Sequence, residues 1–175
     1  PGKKEEVTLQ TDRIAILFAA GDIVDGKGDD SNVGAEKYIK QLRKLREDEK
    51  VKAIVFRVNS PGGSALASDV IAREVALTVA KKPVVVSMGD YAASGGYYIA
   101  ANASKIVAQP NTLTGSIGVF GIFPNMQKLF EDKLGITFDG VTTGKYSDFG
   151  DVSRRMRKNK KLIVQRGVDS IYSNF

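Results

Sequence analysis

The sequence predicts an α/β domain built around a mainly parallel sheet. Apolar runs of strand length alternate with stretches of helical periodicity across roughly the first hundred residues, which is the pattern of βαβ units. A length of 175 residues fits one domain of ordinary size. A composition of 42% hydrophobic and 26% charged residues supports a packed core rather than a disordered chain.

In chain order, residues 1–12 read as a flexible N-terminal segment and residues 13–175 as a single domain within a longer chain. Residues 13–23 (RIAILFAAGDI) are an apolar run of strand length, followed by a turn-rich loop at 25–32 (DGKGDDSN). Residues 35–50 place Tyr38, Ile39, Leu42 and Leu45 on one stripe of a helix. Residues 51–58 (VKAIVFRV) read as a buried strand and 59–64 (NSPGGS) as a tight loop. Residues 65–81 carry Leu66, Val70, Val75 and Val79 at helical spacing, and 83–88 (PVVVSM) form the next strand. Residues 91–103 begin with small side chains and continue as an Ala-rich helix. Short strands are expected at 105–108, at 117–123 after the loop TLTGS, and at 136–141. Helices are expected at 125–134 and 154–175, with a polar loop at 143–153 between them. The last helix meets no Gly or Asn stop signal.

The composition narrows the chemistry. The chain has no Cys and no His. Thiol nucleophiles, disulfides, thiolate metal sites and a Ser–His–Asp triad are therefore ruled out within it. Covalent catalysis would need Ser or Thr with another base, and Lys is the usual substitute. No Walker motif or dinucleotide fingerprint is present, so neither a cofactor nor a metal is expected. No apolar run approaches the roughly 18–20 residues that cross a bilayer, and residues 1–10 lack the apolar core of a signal peptide. The piece should be soluble, with any membrane anchor outside it. The net charge is +6, concentrated in RRMRKNKK at 154–161. That run reads as a solvated helix face or an oligomer contact, with a membrane-surface or acidic-partner role as the alternative. No aromatic-and-basic pattern accompanies it, which argues against nucleic acid.

Open α/β sheets form their sites at the carboxyl ends of strands. Two strand ends carry unusual loops. In Asn59-Ser60-Pro61-Gly62-Gly63-Ser64, two glycines after a proline can aim backbone N–H groups at an anion; alone, this is equally a sharp strand-to-helix turn. In Tyr91-Ala92-Ala93-Ser94-Gly95-Gly96-Tyr97-Tyr98, Ser94 sits among small residues where a helix begins; alone, it is equally an N-cap serine. Together they are more specific. A PGG loop roughly thirty residues before a small-Ser-Gly-Gly helix start resembles the ClpP/crotonase-like superfamily, where one βα unit supplies oxyanion N–H groups and the next the reacting residue.

NSPGGS, GDYAASGGYYIA and TLTGSIGVFG, in that order, closely resemble the signal peptide peptidase A (protease IV) family of Ser–Lys peptidases. The likeness runs from Arg13 to the chain end. It implies a ClpP/crotonase-like spiral of βαβ units. It also implies Ser94 as nucleophile, Gly62 or Gly63 with Gly95 as oxyanion-hole donors, and Ser116 in TGSIG as the serine that orients the base lysine. One position departs. Single-domain members carry a loop like G-K-Y-K-D whose second lysine is the base; here Gly144-Lys145-Tyr146-Ser147-Asp148 puts Ser147 in its place. Long forms of the family have two related halves, the first supplying the lysine and the second the serine, and this chain resembles the second. Lys145 is the fallback base, since strand-like alternation keeps it on the same side as residue 147.

The resemblance further implies an acyl-transfer mechanism, no cofactor, and cleaved signal peptides or other extended apolar peptides as substrates. The expected partners are the N-terminal half of the same protein and further copies in a homo-oligomer. The expected location is membrane-anchored, with the catalytic part extracytoplasmic in the bacterial periplasm. Three other readings compete. A crotonase-type acyl-CoA enzyme would carry a catalytic acid where Ser94 stands. A ClpP peptidase would need a histidine. A catalytically inactive structural or oligomerisation half would have no need of SGG.

Overall fold

The computed structural model describes residues 12–175, so the flexible segment expected over 1–12 falls, apart from Asp12, outside the described residues. The chain divides into one compact unit up to Ile117 and a second over Gly118–Phe175.

The first unit runs β1 (Arg13–Ala20), β2 (Ile23–Val24), β3 (Val33–Gly34), α1 (Ala35–Glu47), β4 (Val51–Ser60), α2 (Ala65–Val79), β5 (Val84–Ala93), α3 (Gly95–Ala101), β6 (Lys105–Val107) and β7 (Leu113–Gly115). Its main sheet has the order β1-β4-β5-β6, with β7 also on β5, and every pairing is parallel. β6 covers Val85–Ser87 and β7 covers Tyr91–Ala93, so two short strands follow one another along a single edge of β5. β2 and β3 form a separate two-stranded pair.

Period-2 alternation decides which face is the core. Ile54, Phe56 and Val58 of β4 and Val84, Val86 and Met88 of β5 point the same way and are buried. Tyr38 and Leu42 of α1 and Ile71 and Val75 of α2 close over them. Phe56 is fully enclosed at the centre. Phe56→Ala should therefore cost about 3–5 kcal/mol, lost transfer energy plus a cavity that backbone-paired neighbours cannot fill. Urea unfolding of the variant checks this, and a loss below about 1 kcal/mol would contradict the burial. On β1, Leu17 and Ala19 face the core while Ile14, Ile16 and Phe18 are exposed.

Polar contacts tie the helices together. Glu74 of α2 is buried between Arg43 and Arg46 of α1, with Arg43 Nη2 at 3.3 Å, so its charge is compensated as buried carboxylates require. The Tyr98 hydroxyl of α3 donates to Asp69 Oδ1 of α2 at 2.7 Å. Burial pushes that hydroxyl up to about 12, and the Asp69 hydrogen bond and charge add to the shift, so it remains a donor across the neutral range.

The second unit has little regular structure: a π-type turn at Leu129–Lys133 and helix α4 (Lys158–Asn174). Phe130 stacks edge-on against Phe138 with centroids 4.9 Å apart. Lys160 is buried and paired with Asp148, and that hydrogen bond holds the Asp148 carboxyl below the usual carboxylate range.

Four expectations need correction. β5 continues to Ala93, so the helix begins at Gly95 and not near Tyr91. A strand forms at Leu113–Gly115, inside what reads as a loop, because β5 offers it a free edge. The apolar runs 117–123 and 136–141 form no strands; they have no partner, and Phe120 and Ile122 stay more than four-fifths exposed. Helix α4 starts at Lys158 rather than at 154, because Arg157 is extended (ψ 155°) and closes off the helix there.

Candidate active site

The candidate site grows out of the carboxyl ends of β4 and β5. The β4–β5 register shifts between Val58 and Ser60, and Asn59 sits in the shift. Its side-chain carbonyl replaces the missing ladder bond by accepting the Tyr91 N–H at 3.0 Å, and its backbone carbonyl accepts the Gly21 N–H at 3.1 Å. Ser60 resumes the pairing opposite Ala92.

The chain then turns through Pro61 into Gly62 (φ 104°) and Gly63 (φ 151°), backbone angles at which a side chain is strained. The loop is laid along β2: the Ile23 N–H donates to Gly62 O at 2.8 Å, and the Ser64 N–H donates to Ile23 O at 2.8 Å. Ser64 then starts α2, its hydroxyl accepting the Ala67 N–H at 3.2 Å, as an N-cap serine does. The Gly62 N–H donates to Ser60 Oγ at 3.1 Å. Gly63 is exposed, and among the described residues no group takes its N–H.

At the end of β5, Ser94 adopts φ 51° and ψ −124°. Such a left-handed angle in a non-glycine residue costs of order 1–3 kcal/mol and persists only where the surroundings over-determine it. Here they do. The Ser94 N–H donates to Gly115 O at 2.9 Å, and the Ser94 carbonyl accepts the Tyr98 N–H at 2.9 Å. Thr114 Oγ1 donates to Ala92 O at 2.7 Å and Thr112 Oγ1 to Gly89 O at 2.8 Å, pinning the strand before the turn. The Ser94 side chain caps nothing and is half-buried. The Gly95 N–H, first in α3, is likewise not taken by any group among the described residues.

The two loops meet without room for a Cβ. A methyl on Gly62 would lie 2.6 Å from Gly95 N, 2.9 Å from Ser94 Cβ and 3.0 Å from Ala93 O. One on Gly95 would lie 2.3 Å from Ser68 Oγ and 3.3 Å from Gly62 Cα. Gly62, Gly63, Ser94 and Gly95 are thus in one place, on neighbouring strand ends. Ser116 joins them through the chain, following Gly115, whose carbonyl holds the Ser94 N–H; it is exposed and also has φ 51°. Tyr91 and Leu113, cross-strand partners on the strands leading to Ser94 and Ser116, leave apolar surface exposed. The loop that bears the untaken Gly63 N–H meets the turn that bears the Ser94 hydroxyl and the untaken Gly95 N–H; acyl transfer needs such parts, an attacking oxygen and donors for the charge that develops on the carbonyl.

Lys145 and Ser147 belong to the second unit and are exposed. Lys145 Nζ lies 5.5 Å from the Tyr146 ring centroid, and Ser147 Oγ donates to Gly144 O at 3.0 Å. Ser60, Asn59 and Thr114 are contributors that reading the sequence passes over. Their signal is a polar pair closing an otherwise apolar strand, and alternating threonines after a short strand. Among the described residues no cluster of three or more carboxylates could hold a metal, and no helix is long and apolar enough to cross a membrane.

Residues 76–175 match Peptidase family S49, and residues 5–114 match Clp protease. Protease 4 of Salmonella typhi is 45% identical over 163 residues, covering 93% of this chain and 26% of that protein. The chloroplastic serine protease SPPA of Arabidopsis thaliana is 42% identical over 169 residues, covering 94% of this chain and 25% of that protein. The chain thus spans about a quarter of the length of these relatives. Among solved structures, a lysine-to-alanine mutant of the 1510-N membrane-bound stomatin-specific protease, in complex with a substrate peptide, aligns with a TM-score of 0.50 and 23% identity, covering 69% of this chain and 51% of that one. That likeness is one of fold.

Proposed function

The chain belongs to Peptidase family S49, and from that premise we propose that it is the nucleophile-bearing part of a Ser–Lys peptidase within a longer protein. The observation that carries this is the contact of the PGG loop with the strained Ser94 turn, where even a methyl on Gly62 would strike Gly95 N and Ser94 Cβ.

In this reading a neutral lysine removes the Ser94 hydroxyl proton as Oγ attacks the scissile carbonyl carbon. The carbonyl oxygen takes up the electron pair and is held by the N–H groups of Gly63 and Gly95. The lysine then protonates the leaving amine, and water repeats the sequence on the acyl-enzyme. A free lysine, with pKa near 10.4, is charged at neutral pH, so the site must bury it to make it a base. The chain has no histidine, and Ser147 stands where single-domain relatives would carry the lysine. The lysine therefore comes from another half of the protein, and Ser116 orients it. Extended apolar peptides, cleaved signal peptides among them, suit the apolar surface of Tyr91 and Leu113. The exposed row Ile14, Ile16 and Phe18 on β1 supports assembly into a homo-oligomer. The protein is anchored by a segment outside these residues and works on the extracytoplasmic side.

Labelling the full-length protein with a fluorophosphonate and mapping the adduct by mass spectrometry tests the nucleophile. The adduct belongs on Ser94, and a different site sinks the proposal. Peptidase assays of the 175-residue chain alone test the origin of the base. Wild type should be nearly inactive, Lys145→Ala no different, and Ser147→Lys should gain activity. Robust wild-type activity lost in Lys145→Ala would show that the chain supplies its own base.

A further inference from the structure

We infer that Ser60 is a positioning residue that fixes the orientation of the PGG loop, so that the Gly63 N–H, and not that of Gly62, is presented to the reaction. The inference rests on the peptidase reading above and concerns how its oxyanion donor is set. Ser60 is fully buried at the end of β4, and its hydroxyl oxygen accepts the Gly62 N–H at 3.1 Å. That bond removes Gly62 as a donor and fixes the peptide unit between Pro61 and Gly62. The next peptide unit is fixed from the other side, since Gly62 O accepts the Ile23 N–H at 2.8 Å. A trans peptide is planar, so its N–H points opposite to its C=O. With Gly62 O committed to Ile23, the Gly63 N–H points away from β2 and is left free in an exposed position.

The loop cannot hold this orientation unaided. Gly62 and Gly63 are the residues with most freedom to rotate their peptide planes. Without an acceptor at residue 60, the buried Gly62 N–H would be orphaned, and the loop would turn to find another partner. Ser60 is also fixed against the nucleophile turn. A methyl on Gly96 would lie 2.4 Å from Ser60 O and 3.3 Å from Ser60 Cβ. One serine therefore registers the donor loop against the start of α3, two residues after Ser94.

The test uses the full-length protein with a fluorogenic apolar peptide and the aldehyde of the same sequence, whose adduct places an oxyanion at the site. In Ser60→Ala, kcat should fall about 10–100-fold with KM within about twofold, the effect of misplacing one oxyanion donor. Aldehyde affinity should fall by a similar factor. Ser60→Cys, nearly isosteric with a weak acceptor, should fall between wild type and Ser60→Ala; if Ser60→Ala does not fold, this variant decides alone. A lower melting temperature with wild-type kcat, or a loss confined to KM, overturns the inference. Activity retained in Ser94→Ala would instead overturn the nucleophile itself. Inactive Ser94→Ala beside wild-type kcat in the Ser60 variants overturns only the role of Ser60.

Discussion

Ser94→Ala in the full-length protein should lower kcat/KM by about 10⁴-fold or more, the scale on which activated serine nucleophiles act. Its fold should be unchanged, because the hydroxyl caps nothing and the backbone bonds to Gly115 O and from the Tyr98 N–H remain. The companion Ser94→Gly separates chemistry from structure. Glycine accepts φ 51° without strain, so this variant should be as inactive as Ser94→Ala yet more stable by about 1 kcal/mol. Such a pair marks a residue kept for reaction at some cost in stability. Thermal unfolding and peptide hydrolysis on the same samples decide it. If Ser94→Ala hydrolyses peptide at the wild-type rate, the residue is only a helix-start serine.

Gly62→Ala should damage both the fold and the activity. Two effects add. At φ 104° any Cβ is strained, and this one would meet Gly95 N at 2.6 Å and Ala93 O at 3.0 Å. These are backbone atoms of a paired strand and a helix start, so they cannot swing aside as a side-chain tip would. The expected cost is about 2–4 kcal/mol from strain and overpacking, with kcat down about 100-fold or more as the donor loop leaves Ser94. Gly115→Ala provides the control. It also has a left-handed angle, φ 82°, but nothing lies within 4 Å of its Cβ. It should show the conformational cost alone, about 1–2 kcal/mol. Denaturant midpoints for the two variants give the comparison, and equal losses would mean that the PGG loop does not press on the nucleophile turn.

Much of the frame could be read from residues alone. Helices α1 and α2 and strands β1 and β4 lie within a few residues of where periodicity places them, because each buries one clear apolar face. The two loops that meet were legible as well, since the glycine pairs at 62–63 and 95–96 leave a mark in the sequence that survives without coordinates. What did not show was anything decided by a distant partner. The end of β5, Gly-Asp-Tyr-Ala-Ala, has no apolar alternation, and it is a strand because Asn59, Ser60 and β7 pair with it. β7 itself is the triplet Leu-Thr-Gly, too short to show alternation, and pairs because an edge is open beside it. Conversely, residues 117–123 look like a strand and are not, as alternation cannot reveal that no partner is present. Ser60 was passed over because its work is a hydrogen bond to a backbone group two residues on, which no spacing rule records.

The all-parallel sheet also governs how the protein comes to exist. No pair in it is a hairpin: the contacts run from Val85 with Lys105 to Ile14 with Ala53, each separated by a helix or a long excursion. Every strand pairing must therefore close a large loop before any ladder bond rewards it, which places such topologies among the slow folders. The Ser94 turn depends on the latest of these closures. Its N–H partner, Gly115, lies on β7, which pairs only with β5 and follows it in the chain. During synthesis, Ser94 leaves the ribosome well before Gly115 does. The strained angle at Ser94 can be imposed only once β7 has paired with β5, so the residue stays relaxed until that pairing forms.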